Sequence, residues 1–157
     1  IIGWGLVTDV ANKAEKYRWL GTSRYTFLSV IEVFSYSPRP AVLILDGKRF
    51  SDDFTFIIAC NTIHTGKGMK MAPMAKLNDG LMDIIVVRHK ASRFKLLSFL
   101  PNLFDGSHIN SPLVEYYTVS EFSLIPKQDD LLNIDGEIAG STPIDVRVLR
   151  ERVEVFC

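Results

Sequence analysis

The sequence predicts a β-rich α+β domain, an antiparallel β-sandwich with helices on its flank. Three observations predict it. Short apolar or β-branched runs bounded by Gly, Pro, Asn and Asp recur along most of the chain, as strands do. Two segments, Ala14–Tyr36 and Ala91–Phe104, carry helical spacing instead. Finally, 47% of the 157 residues are hydrophobic, enough for the core of one domain. A chain of this size buries about 68–70% of its unfolded surface.

Taken in order, IIGWGLV at residues 1–7 reads as a strand entered midway, and the chain does not begin with Met. Residues 1–157 are therefore expected to be one domain of a larger protein. Ala14–Tyr36 predicts one or two helices broken near Gly21 and ended by Pro38 and Pro40. Strands are expected at 41–47 (AVLILDG), 54–60 (FTFIIAC) and 81–88 (LMDIIVVR). Ala91–Phe104 returns to helix with a very broad apolar face, kinked or ended at Pro101. The tail predicts strands at 113–126, 131–135, 143–149 and 152–156, with a bulge where the alternation slips between Tyr116 and Tyr117.

Composition excludes several classes. Lys plus Arg is 18 and Asp plus Glu is 18, so the basic excess of a nucleic-acid binder is absent. The same neutrality argues against a purely electrostatic membrane anchor. Two cysteines, Cys60 and Cys157, make no disulfide scaffold and suit a reducing compartment. No apolar run approaches the roughly 20 residues of a spanning helix, and the first residues lack a signal-peptide layout.

Chemistry-bearing candidates concentrate in two places. TIHTGKGMKMAPMAKLNDGLMD (62–83) contains TGKG, but a phosphate-binding GxxxxGK[ST] loop would need Gly at 61 and Ser or Thr at 68, where Asn61 and Gly68 stand. What remains is a Gly66-x-Gly68 turn after a strand, able to cradle an anion or simply to turn the chain. All four methionines, Met69, Met71, Met74 and Met82, fall in this stretch and point to an adaptable apolar pocket. Asp79 and Asp83 are candidate ligands of a hard cation, or turn aspartates. The three histidines have no ligand-like spacing, and no GxSxG elbow is present. Arg18 and Arg24, six apart, are either a solvated face or a pair of phosphate-gripping guanidinium groups. The second place is NIDGEIAG (133–140), where Asp135 and Glu137 flank Gly136. Asp-Gly is a common hairpin turn; two acids there also raise a site reading.

Three stretches in order, WGLVTDVANKAEKYRWLGTSRYTF, NTIHTGKGMKMAPMAKLNDGLMDIIVV and NIDGE, resemble the C-terminal domain of the diacylglycerol kinase-like lipid kinases, the group of sphingosine, ceramide and bacterial diacylglycerol kinases. The first is similar to WG-x-x-x-D…RWLG-x-x-R, the second to the AP-x-A and DG-x-x-D run, the third to the late D-G-E signature. The resemblance implies a β-sandwich packed against an N-terminal α/β kinase domain, with ATP, and Mg²⁺, in the cleft between. It implies that Asp135 and Glu137 act at the reacting groups. Arg18, Arg24, Gly136 and Glu137 would contact the nucleotide, and Asp79 and Asp83 are the metal candidates. Asp9, Tyr25, Met69, Leu96, Phe99, Leu100 and Leu103 would face a lipid substrate.

Two departures qualify these expectations. The N-terminal domain with its GDG nucleotide loop lies outside this chain, which alone should be inactive. Sphingosine kinases also carry a second acid two residues after the position of Asp9, where this chain has Ala11. A buried ammonium without a counter-ion is costly, so an amide- or ester-linked lipid gains over a free sphingoid base. The implied location is cytoplasmic with transient membrane contact, with a homodimer possible and no nucleic acid. The competing class is a non-catalytic β-sandwich that binds lipid or protein through the same surface. A related NAD kinase half would share the architecture but have no use for a broad apolar helix.

Overall fold

The structure is a computed structural model that describes residues 1–16, 31–89 and 92–152. Strand β1 (Ile2–Gly5) leads directly into helix α1 (Leu6–Lys16), and residues 31–35 are again helical. Next come β2 (Arg39–Leu45), β3 (Lys48–Cys60) and β4 (Met82–Arg88). Helices α2 (Arg93–Phe99) and α3 (Asn102–Asp105) follow. The chain then continues through β5 (Val114–Val119), β6 (Glu121–Pro126), β7 (Leu131–Ile134), β8 (Glu137–Ser141) and β9 (Ile144–Arg147).

Among the described residues these nine strands form one antiparallel sheet. β3 is its spine. The first half of β3 pairs with β2, and its second half is flanked by β1 and β4. The sheet curls, so its two faces bury different cores. On the inner face Trp4, Leu43, Phe54, Ile84, Leu124 and Leu132, contributed by six strands, meet in one cluster. The outer face of β3 and β4, with Phe56, Ile58, Ile85 and Val87, is covered by helical residues such as Leu6, Val33, Leu96 and Leu103. This is the expected sandwich with flanking helices, and it explains why LMDIIVVR does not alternate. A strand covered on both faces needs apolar residues at every position.

Several local expectations change. α1 begins at Leu6, earlier than the sequence spacing suggests, because Gly5 (φ +82°) turns the chain out of β1. The expected helical break near Gly21 lies outside the described residues. Pro101 does interrupt the second helical segment: α2 is capped by Ser92, whose hydroxyl accepts from Lys95 N–H at 3.4 Å, and α3 begins after Pro101. No bulge separates Tyr116 from Tyr117. The β4–β5 register runs unbroken there, with Tyr116 packing on the outer core and Tyr117 on the inner one. The run 113–126 is instead two strands joined at a corner, where Asp46 Oδ1 accepts from Ser120 N–H (3.0 Å), Ser120 hydroxyl (2.9 Å) and Glu121 N–H (3.0 Å). The tail differs too: β8 is an additional strand, β9 is shorter than 143–149, and most of 152–156 lies outside the described residues.

An ion cluster ties β3, β4 and β5 together. Arg88 donates through Nε and Nη2 to Glu115 (2.6 and 2.9 Å) and through Nη1 to Asp52 (2.8 Å). Its guanidinium carbon lies 5.5 and 5.4 Å from the ring centres of Phe50 and Phe54, a cation–π arrangement. The hydrogen bonds from Arg88 hold the carboxyls of Glu115 and Asp52 below their ordinary 4.5 and 3.8. A carboxyl lowered in the folded state stabilises the protein at neutral pH, and that contribution is lost as the pH falls through its folded value. Arg88→Met should therefore flatten the loss of thermal stability between about pH 5 and pH 3 relative to the parent chain. Parallel pH profiles for the two proteins would refute the assignment.

Candidate functional site

The described residues do not fill the outer core. A cavity of about 1280 Å³ lies between the sheet, α1, the α2–α3 pair and the loop after β3. Its floor is Gly3 of β1 with Phe56 and Ile58 of β3. Helix α1 lines it with Val7, Val10 and Ala11, the i, i+3, i+4 set that shares one helical face. Leu96, Leu100 and Leu103 line it from the other side, and Met69 and Met71 close it. The substrate-facing residues expected from the sequence thus converge for Met69, Leu96, Leu100 and Leu103. Tyr25 and the side chain of Phe99 lie outside what is described.

The methionine loop is anchored rather than loose. Thr65 N–H donates to Met69 carbonyl (2.8 Å), Lys70 N–H to Leu103 carbonyl (2.7 Å), and buried His108 bonds Met71 carbonyl through Nε2 (3.0 Å). Burial pushes His108 below its ordinary 6.5. The four methionines do not act as one group. Met69 and Met71 line the cavity, Met74 is exposed, and Met82 belongs to the inner core on the other side of the sheet.

The cavity turns polar toward β7. Residues 133–137 form the β7–β8 hairpin, with Asp135 (φ +50°) and Gly136 (φ +96°) at its centre, a type I′ turn. Gly136 N–H donates to Asn133 Oδ1 at 3.2 Å, and Asp135 N–H donates to Ile1 carbonyl at 3.0 Å. Asn133, Asp135 and Gly136 line the cavity, while Glu137 is exposed beside it. A methyl group at Gly136 would meet nothing within 4 Å, so the turn has open space before it. The turn reading and the site reading of NIDGE therefore coexist.

Other expected residues sit elsewhere. Asp9 does not line the cavity. It receives both of its 2.8 Å bonds from Arg39 Nη2, while Arg39 Nη1 donates to Asp130 at 2.6 Å. Burial raises the Asp9 carboxyl from its ordinary 3.8 despite that partner. The reason is helical geometry: Asp9 points away from the face that carries Val7, Val10 and Ala11. Nor do Asp79 and Asp83 make a cation site together. Asp79 Oδ1 caps Leu81 N–H (2.9 Å) within its turn. Asp83 is buried in β4, accepts from Thr118 hydroxyl (3.0 Å), and helps burial to raise the Tyr116 hydroxyl pKa. Among the described residues no three metal-binding side chains gather. Arg18 and Arg24 lie outside the described residues. Sequence reasoning also missed Val7, Val10, Thr65 and Asn133 as cavity residues. The helical spacing of the first two was the available signal; the others have none.

Comparison with known proteins agrees with this architecture. The chain is 24% identical to sphingosine kinase 1 of Arabidopsis thaliana over 88% of its own length and 38% of that protein. It is 28% identical to a diacylglycerol kinase of Mycobacterium tuberculosis over 97% of its length and 49% of the relative. It thus spans half or less of each. A solved diacylglycerol kinase structure from Bacillus anthracis shares the fold with a TM-score of 0.71 at 21% identity, covering 95% of this chain and 48% of that one. The family model of the YegS C-terminal NAD kinase beta sandwich-like domain matches residues 1–157, and the chain belongs to that family.

Proposed function

We propose that this chain is the lipid-binding half of an ATP-dependent lipid kinase, which transfers the terminal phosphoryl group of ATP to a lipid hydroxyl. One observation carries the reading: an apolar cavity large enough for acyl chains has the Asp135–Gly136 turn at its polar end. In the proposed arrangement the acyl chains lie against Val10, Leu96, Leu100 and Met69, and the hydroxyl reaches the turn. An N-terminal kinase domain completes the cleft, with Gly136 leaving room for the nucleotide. Arg18 and Arg24 would grip its phosphates. Phosphoryl transfer depends mainly on positioning and charge stabilisation. Asp135 and Glu137 serve that purpose by orienting the reacting groups. Asp79 and Asp83 do not fit a magnesium site, and no step is assigned to a metal on this chain.

The lipid would arrive from a membrane surface, which the full protein touches transiently from the cytoplasm. No described helix is long and apolar enough to cross a membrane. Exposed Phe94 and Phe104, beside the cavity on α2 and α3, support peripheral contact. The substrate proposed is a neutral lipid. Ala11 is on the cavity wall, and Asp135, at the polar end, is the one acid among the described lining residues.

The test is phosphorylation of diacylglycerol, ceramide and sphingosine in mixed micelles by the two-domain protein. Neutral lipids should be preferred, and Ala11→Asp should shift the preference toward sphingosine by about 1–3 kcal/mol, the scale of one hydrogen bond to a charge. Sphingosine turning over at least tenfold faster than both neutral lipids in the parent protein would overturn the substrate assignment. Lipid binding without any transfer would favour a non-catalytic binding module instead.

A further inference from the structure

The backbone bonds of a helix are spent within it, so side chains set where the cavity wall α1 lies. Near Gly5, which turns the chain out of β1, the Thr8 hydroxyl donates to the Gly3 carbonyl at 2.9 Å. One residue on, Asp9 is gripped by Arg39 on the side of α1 away from the cavity. Arg39 opens β2, and the same guanidinium donates through Nη1 to Asp130 at 2.6 Å. Asp130 stands at the foot of the β7–β8 hairpin. Its N–H donates to the Thr142 hydroxyl (2.9 Å), and the Thr142 N–H donates to its carbonyl (2.9 Å). Its own Oδ1 accepts from Leu131 N–H at 2.9 Å, so the carboxylate is held in place. In the sheet β1 and β3 lie between β7 and β2, and among the described residues no ladder bond joins the hairpin to the strand of Arg39. One side chain thus ties the cavity wall to the strand pair that carries the Asp135–Gly136 turn.

We propose that Arg39 is a positioning residue that sets the distance between the acyl wall of α1 and the turn that meets the lipid hydroxyl. The inference rests on the lipid kinase reading and goes beyond it by naming a residue outside the cavity. Partly exposed ion pairs like these two add little to stability. Their geometry is another matter. A planar guanidinium that serves two carboxylates fixes the angle between them, which a flexible ammonium does not. Without it two acids would face each other, and the charge of Asp130 is already felt at Asp9. Loss of the guanidinium therefore drives α1 and the foot of the hairpin apart. The lipid would still bind, because Val7, Val10 and Ala11 stay together on their helix, but its hydroxyl would miss the turn. Group transfer tolerates this poorly: a misplacement of about 1 Å can cost about 10² in rate.

The experiment measures phosphorylation of diacylglycerol and ceramide in mixed micelles, and thermal unfolding, for the two-domain protein and its Arg39→Lys and Arg39→Met variants. Arg39→Lys keeps the charge and loses the fork. It should unfold close to the parent, leave KM for lipid and for ATP within about threefold, and lower kcat by about 10². Arg39→Met loses the charge as well and should show the same split with some loss of stability. Should Arg39→Met fail to fold, Arg39→Lys decides alone. Near-parental kcat in folded Arg39→Lys overturns the inference. So does a rise in lipid KM that accounts for the whole loss of kcat/KM, or a kcat that merely follows the fraction of folded protein, the pattern of a structural ion pair. Turnover by the parent leaves the kinase reading standing in each of these cases. A parent protein that phosphorylates neither these lipids nor sphingosine would defeat that reading itself.

Discussion

Glu137→Ala in the two-domain protein should lower kcat by about 10²–10³, the usual effect of removing one group that stabilises charge in a transition state. Its stability should hardly change. Glu137 opens β8 in an exposed position, and among the described residues no hydrogen bond or ion pair engages its carboxylate. Surface substitutions of that kind stay within about ±0.5 kcal/mol. This contrast gives the experiment its force, because an exposed acid that stabilises nothing has no structural reason to matter for turnover. The measurement is a pair: steady-state kinetics with a neutral lipid, and thermal unfolding of the same preparation. Near-normal kcat would remove Glu137 from the site. A large fall in kcat accompanied by a matching loss of stability would assign it to the hairpin rather than to the reaction.

Gly5→Ala should destabilise the domain by about 2–4 kcal/mol, read as a lowered denaturation midpoint. Gly5 ends β1 with φ +82° and faces Phe56 across the β1–β3 pair. A methyl group there would lie 2.6 Å from the Thr55 carbonyl oxygen and 3.2 Å from Phe56 Cα. Both are backbone atoms of the central strand, so relief requires moving β3 or releasing α1. Gly136→Ala is the control. It shares the positive φ, +96°, but its methyl group would meet nothing within 4 Å. It should cost only the left-handed backbone strain, about 1–2 kcal/mol. Equal losses at the two positions would show that backbone strain alone, and not the contact with β3, sets the requirement at Gly5. Because Val7, Val10 and Ala11 follow Gly5 on α1, Gly5→Ala should also raise KM for the lipid.

Much of this molecule could be read from its sequence. The apolar runs that become β2, β3 and β4 announce themselves, since each is a local matter of residue type and of Gly, Pro and Asn at the ends. Pro101 breaks the second helical segment for an equally local reason. Asp-Gly at 135–136 was legible as a turn, and the likeness of NIDGE and the loop motifs to a lipid kinase domain marked the correct family. Leu96, Leu100, Leu103 and Met69 were named through that likeness, and all four line the cavity.

Other features were decided by tertiary structure. Which face of a strand is covered depends on partners far away in sequence, so the slip at Tyr116–Tyr117 looked like a bulge when it was a strand partly covered on both faces. Met82 parted from Met69 and Met71 because alternate residues of a strand enter opposite cores. Asp79 and Asp83 are close in sequence, yet one closes a turn and the other is buried beside Thr118. Asn133 carried no signal at all. Its place on the cavity wall arises only when β7 pairs with β1. Periodicity and turn chemistry are local and survive in one dimension. Burial and pairing exist only after distant segments have met.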